Sequence, residues 1–131
     1  MIFVDSGAWF ASLVPTDPDY AAAQTWFAQN QQPLITTDCV VDETLTLLLV
    51  RGQKARALAW GKAIFSGQVA RLHYLSPQEL HDAWLVFCQF HDKEWSFTDC
   101  TCKVVIEQLG IGVACSFDQH FRQFGSMAVV P

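Results

Sequence analysis

The chain opens on Met1-Ile2-Phe3-Val4, apolar without alternation, and then meets Asp5, Ser6 and Gly7. A short run that is apolar on both faces predicts a strand buried in the middle of a parallel sheet. Asp5 then stands at the strand's C-terminal end, where open α/β sheets place their ligands. Helical periodicity follows over Ser6 to Leu13, closed by Pro15. Thr16-Asp17-Pro18 reads as the start of a second helix to about Asn30, with Tyr20, Ala23 and Phe27 facing inward.

Leu34-Ile35-Thr36 is a second strand. Thr37 or Asp38 caps a third helix that runs through Val50 and stops at Arg51-Gly52. A fourth helix covers Lys54 to Phe65, and Val69 to Leu75 alternates as a third strand. Ser76-Pro77-Gln78-Glu79 combines a Ser cap, proline at the first position and Glu three residues on, a capping box. The fifth helix that it starts runs to about Phe90. His91 to Trp95 is a polar connection, a sixth helix spans about Thr98 to Leu109, and Gly112–Cys115 and Met127–Val130 are the last strands. Strands alternate with helices and no linker interrupts them, so the pattern predicts one α/β domain over residues 1–131 with a largely parallel sheet.

Composition narrows this picture. Of 131 residues 51% are hydrophobic and 16% charged, which describes a globular chain long enough to bury a core. No apolar run is long enough to cross a bilayer. The N-terminus lacks the basic stretch of a signal peptide, so the expected compartment is the cytoplasm and no membrane is involved. Five cysteines with no framework spacing agree with reduced thiols. A net charge of −5 excludes a protein that coats nucleic acid electrostatically, but not an enzyme that meets nucleic acid through a bound cation.

Position selects among the acids. Asp118, after Cys115-Ser116-Phe117, ends the fourth strand as Asp5 ends the first; if the sheet order reverses beside strand one, the two face each other across one crevice. An ordinary helix cap explains Asp118 equally well. Ser96-Phe97-Thr98-Asp99 fits a second capping box, a sufficient structural use for Asp99. On the third helix Val40, Val41, Thr44, Leu45, Leu47 and Leu48 form the apolar stripe, Asp42 lies opposite it, and Glu43 sits at its border.

Taken together, four pieces resemble the PIN-domain nucleases, especially the VapC-type toxins of bacterial toxin–antitoxin pairs: Phe3-Val4-Asp5-Ser6, Thr36-Thr37 with Glu43-Thr44, Ser96-Phe97-Thr98-Asp99-Cys100, and Ser116-Phe117-Asp118-Gln119-His120-Phe121. The resemblance covers nearly the whole chain. It implies a three-layer α/β/α fold with a five-stranded parallel sheet in order 3-2-1-4-5. It also implies an acidic site at Asp5, Glu43, Asp99 and Asp118, with Ser6 and Ser116 as supporting hydroxyls. Cleavage of RNA, a homodimer and inhibition by a cognate antitoxin protein are further implications.

Such a cluster needs a cation. Two carboxylates about 4 Å apart repel by roughly 4 kcal/mol at an effective dielectric near 20. Oxygen-only donors favour a hard ion, Mg²⁺ or Mn²⁺. Asp5, Asp99 and Asp118 are the expected ligands; Glu43 is expected to bind through water or to orient the attacking water. Arg51, Lys54, Arg56 and Lys62 gather half of the eight basic residues within twelve positions, either an RNA-approach surface or a solvated helix face. Trp9, Trp60 and Trp95 are candidates for base stacking or for core. The Cys100, Cys102, Cys115 and His120 set lacks zinc-ribbon spacing.

Absent residues remove two competing enzymes. A receiver-type phosphoacceptor wants an acid at the end of strand three and a late Lys; a haloacid-dehalogenase-like phosphatase wants an acid where Gly7 stands. Two other readings share the motifs: a PIN-like domain that binds RNA or a protein partner without cutting, and an RNA-processing nuclease outside any toxin pair.

Overall fold

The computed structural model describes residues 1–131. Twelve elements follow the predicted alternation: β1 (Ile2–Val4), α1 (Ser6–Leu13), α2 (Tyr20–Gln29), β2 (Leu34–Thr37), α3 (Asp38–Val50), α4 (Lys54–Phe65), β3 (Arg71–His73), α5 (Pro77–Gln89), α6 (Phe97–Gln108), β4 (Val113–Cys115), α7 (Gln119–Gln123) and β5 (Ala128–Val130). The strands form one parallel sheet in order β3-β2-β1-β4-β5, as expected.

β1 is central because its side chains are apolar in both directions. Phe3 pairs in register with Ile35 on one side and Ala114 on the other, and all three are fully buried. Helices cover both faces of the sheet, and the main core joins Phe3, Val4 and Ile35 to Trp9, Val105, Ile106 and Phe121. Parallel strands direct all their C-terminal ends to one rim, so β1 and β4 deliver the residues that follow them to the same place.

Two boundaries differ from the periodicity. α2 starts at Tyr20 instead of Pro18, because the Asp17 carboxylate accepts the Asp19 N–H at 2.8 Å and holds a local turn. β3 has three residues instead of seven, since it lies at the sheet edge and only Arg71–His73 find partners on β2. The predicted stops hold: Gly52 (φ +71°) ends α3 and Gly110 (φ +64°) ends α6, each in the left-handed region that glycine adopts without strain. Both capping boxes form, Ser76 with Glu79 and Ser96 with Asp99.

Candidate active site

Asp5 is the anchor of the rim. It leaves β1 in extended conformation and caps α1, accepting the Ala8 N–H at 2.7 Å with one oxygen. Its other oxygen accepts the Ser116 hydroxyl, which arrives from the end of β4. Ser116 Oγ in turn accepts the Asp118 N–H at 3.0 Å, so one buried hydroxyl joins the exits of the two strands. Asp118 caps α7 through the His120 N–H at 2.8 Å. Its cap role and its place at the rim are therefore compatible.

The two helical acids come from α3 and α6. Thr37 is the cap of α3, accepting the Val40 N–H at 3.1 Å. That start puts Glu43 in the second turn, half-buried, where its carboxylate accepts the Ser6 hydroxyl. Asp42 is exposed on the opposite side, as its spacing implied. Asp99 is held by its capping box, accepting the Ser96 N–H at 3.0 Å.

Electrostatics show that the acids share one space. Burial pushes the Asp5 carboxyl up to about 7 against the bonds from Ser116 and Ala8, and the charges of Asp118 and Asp99 add to the rise. Asp99 is raised too, by burial first and then by Asp118 and Glu43, with the Ser96 bond and His120 opposing. A buried carboxyl raised to about 7 beside other acids is one that a cation would relieve. Asp99, Asp118 and His120 offer ligand atoms all within 4.8 Å of one another.

His120 joins the acids, although the chain alone placed it only in a cysteine set without zinc-ribbon spacing. Its Nδ1 lies 3.5 Å from Asp99 Oδ2 and 3.5 Å from Asp118 Oδ1. The available signal was its place two residues after a strand-end acid, on the first turn of α7. The thiols stay outside the donor set. Burial pushes Cys115 up to about 12 and Cys100 to about 11, and Cys102, beside Asp5, Asp99 and Glu43, well above its usual value. The grouped donors are the carboxylates of Asp99 and Asp118 with the His120 imidazole, and no thiol is among them; oxygen-rich sets of this kind suit a divalent cation.

The basic cluster lies apart from the acids. Arg51 caps the C-terminus of α3, about 12 Å along the helix axis from Glu43. Lys54 and Arg56 start α4, and Arg56 bonds Gln53. Trp9 and Trp60 are core residues, 5.5 Å apart.

No protein-family model matches the chain. Over 132 aligned residues it is 32% identical to the 23S rRNA-specific endonuclease VapC20 of Mycobacterium tuberculosis, in strains CDC 1551 / Oshkosh and ATCC 25618 / H37Rv, covering 100% of this chain and 99% of that protein. The crystal structure of Mycobacterium tuberculosis VapC20, described as a sarcin–ricin loop cleaving toxin, matches with a TM-score of 0.92 at 30% identity, with full coverage of both chains. FitAcB from Neisseria gonorrhoeae has a TM-score of 0.71 at 12% identity, covering 100% of this chain and 97% of that one, a likeness of fold alone.

Proposed function

Since the chain belongs to the VapC-type PIN-domain nucleases, we propose that it is a metal-dependent endoribonuclease acting at Asp5, Glu43, Asp99 and Asp118. One observation carries this reading: Asp5, nine-tenths buried at the centre of the sheet, shares its electrostatic field with Asp118 and Asp99 and its hydrogen bonds with the β4 exit. A structural carboxylate gains nothing from that company.

Asp5, Asp99 and Asp118 would hold Mg²⁺ or Mn²⁺, with Glu43 beside them. The bound ion supplies a polarised phosphate oxygen and a more acidic water. The chain's own part is positioning. Ser116 fixes the Asp5 carboxylate, Ser6 fixes Glu43, and the capping box fixes Asp99, so the acids lose little further freedom when substrate arrives. Glu43, half-buried at the rim, is placed to orient the attacking water. His120 Nδ1 stands between Asp99 and Asp118, 3.5 Å from an oxygen of each, where it can hold the two carboxylates in place.

The relative that shares this fold over its full length cuts the sarcin–ricin loop of 23S rRNA, and the reading extends that substrate class, a structured ribosomal RNA loop, to this chain. The same likeness supports a toxin role; a cognate antitoxin and a homodimer, implied by the family resemblance, complete the reading. No helix is long and apolar enough to cross a membrane; a ribosomal RNA substrate would place the protein in the cytoplasm, where ribosomes are. Arg51, Lys54 and Arg56, remote from the acids, would act as a long-range approach surface for RNA.

The test is cleavage of a sarcin–ricin hairpin by purified protein with Mg²⁺. Asp5→Asn should fold and fail to cut, and a chelator should stop the wild type. Equal cutting by Asp5→Asn would overturn the site, and hairpin binding without any cutting would favour a non-cleaving binder.

A further inference from the structure

Beside the acidic rim lies a cavity of about 230 Å³ that the proposed chemistry does not use. It opens between the end of α5, the connection that follows, and the start of α6, and is lined by Phe87, Phe90, His91, Lys93, Trp95 and Cys100. Three of the six are aromatic. Phe90 and Trp95 lie 4.9 Å apart at 42°, and Trp95 is locked by its Nε1–H donating to Gln123 Oε1 at 2.8 Å. Lys103 Nζ lies 5.9 Å from the Phe90 ring centre.

We propose that this cavity is a nucleobase subsite, which receives an unpaired base of the RNA next to the cut. The inference rests on the nuclease reading above and adds to it the part of the substrate that is gripped.

Size, chemistry and place agree on that occupant. The volume is below the roughly 300–1,000 Å³ of pockets that enclose a drug-sized ligand, so it suits one ring system and not a whole nucleotide. Aromatic walls accept any base by stacking, worth roughly 1–3 kcal/mol per base in single-strand binding sites. Lys93 lines the cavity while Asp92 and Glu94 of the same connection do not, so its charge favours an anionic ligand. Cys100 lines the cavity from the first turn of α6, the turn that carries Asp99, and Trp95 bonds Gln123 on α7, the helix that carries His120, so the cavity adjoins two of the elements that build the acidic site. A base held here therefore belongs to a nucleotide close to the acidic site. The aromatic surface also continues outward: Phe87 stacks on Trp84 at 6.1 Å and meets Phe97 edge-on at 6.1 Å. Both flanking rings are exposed. Sequence-specific RNA recognition works this way, on splayed loop bases stacked against aromatic side chains.

The experiment uses Phe87, which is exposed enough to be replaced without opening the core. A sarcin–ricin hairpin and a series of hairpins with single abasic nucleotides are bound to Asp5→Asn, which reads affinity without cleavage, and cut by protein with intact acids. Phe87→Ala and Phe87→Leu should weaken binding roughly 5- to 150-fold, and Phe87→Tyr should not. One abasic position should weaken the parent by a similar factor and add little in Phe87→Ala, since the two changes remove the same contact. Lys93→Ala should lower affinity uniformly and flatten its salt dependence.

Unchanged binding and KM in the Phe87 variants overturn the subsite while leaving the nuclease reading intact. Additive losses at every abasic position also overturn it. A change in sedimentation of Phe87→Ala with RNA affinity unchanged assigns the surface to a protein partner instead. Wild type that cuts no RNA overturns the nuclease reading, and hairpin affinity still tests the subsite on its own.

Discussion

Two helices of this protein begin with the same device and use it differently. α5 and α6 each start with a Ser cap and an acid three residues on, and in each the acid bonds back to the cap. Glu79 and Asp99 are both largely buried, and both have a histidine nearby. Their surroundings set them apart. Burial pulls Glu79 upward, but the Ser76 backbone and His73, at 3.0 Å, outweigh it and leave the carboxyl below its usual value. Asp99 receives the equivalent bond from Ser96 and is still raised, because Asp118 and Glu43 add their charge to the effect of burial. One acid is satisfied and structural. The other is under strain that a cation would relieve.

Exchange of each acid for its amide should separate these roles most sharply. Asp99→Asn is expected to slow RNA cleavage by about 10²–10³-fold, the scale of losing one placed electrostatic group, while Glu79→Gln leaves the rate constant near wild type. Single-turnover assays on the same hairpin would read both. Comparable losses from the two amides would erase the contrast.

The pH dependence of stability should run in opposite directions for the two settings. Asp5 shares the strain of Asp99, and its carboxyl is raised from the usual 3.8 to about 7. In metal-free protein its favourable contribution is complete below pH about 4 and is lost as pH rises through 7, which amounts to about 4 kcal/mol once it is ionised. Asp5→Asn should therefore be as stable as wild type or more so at pH 8 and lose that slope. Mg²⁺ should raise the melting temperature of wild type and leave the variant nearly unmoved. The lowered Glu79 acts in the other sense, since its contribution is present above the ordinary carboxylate range and is lost as pH falls through its folded value. Glu79→Gln should cost about 2 kcal/mol at pH 7, with less of that cost in acid. Thermal melts from pH 3 to 8 would show the two slopes.

The caps offer the smallest and most discriminating change. Ser76→Ala and Ser96→Ala should each destabilise by about 1 kcal/mol. Only Ser96→Ala is expected to slow cleavage as well, by freeing Asp99 to turn. If Ser76→Ala slowed it equally, the cap would be acting through global stability.

Much of the fold was legible because it follows from local rules. The double-faced apolar run of β1, the two capping boxes, and the glycines that end α3 and α6 each specify an element with few contacts beyond their own segment. Where a segment's fate hung on a side chain choosing between local partners, the pattern misled: Asp17 bonded to Asp19 and delayed α2. The length of β3 followed from its place at an edge. Among site residues, the four acids could be named through the family resemblance, while a cap was the stronger local reading for Asp99 and an even one for Asp118; both caps form, and both carboxylates also lie within reach of His120. His120 was not legible as a site member because its significance lies in two carboxylates, one of them 21 positions away in sequence.

The sequence by itself determined where helices begin, which strand is central, and that Asp5 and Asp118 each end a strand. Those outcomes depend on backbone hydrogen bonds and on burial periodicity, which neighbours in the chain control. Only the tertiary structure decided that Ser116 bonds Asp5, that Ser6 bonds Glu43, and that Asp99 is strained while Glu79 is not. Charge interactions act through space, and the same capping box has opposite electrostatics according to whether the fold brings it a histidine alone or a histidine with two more acids.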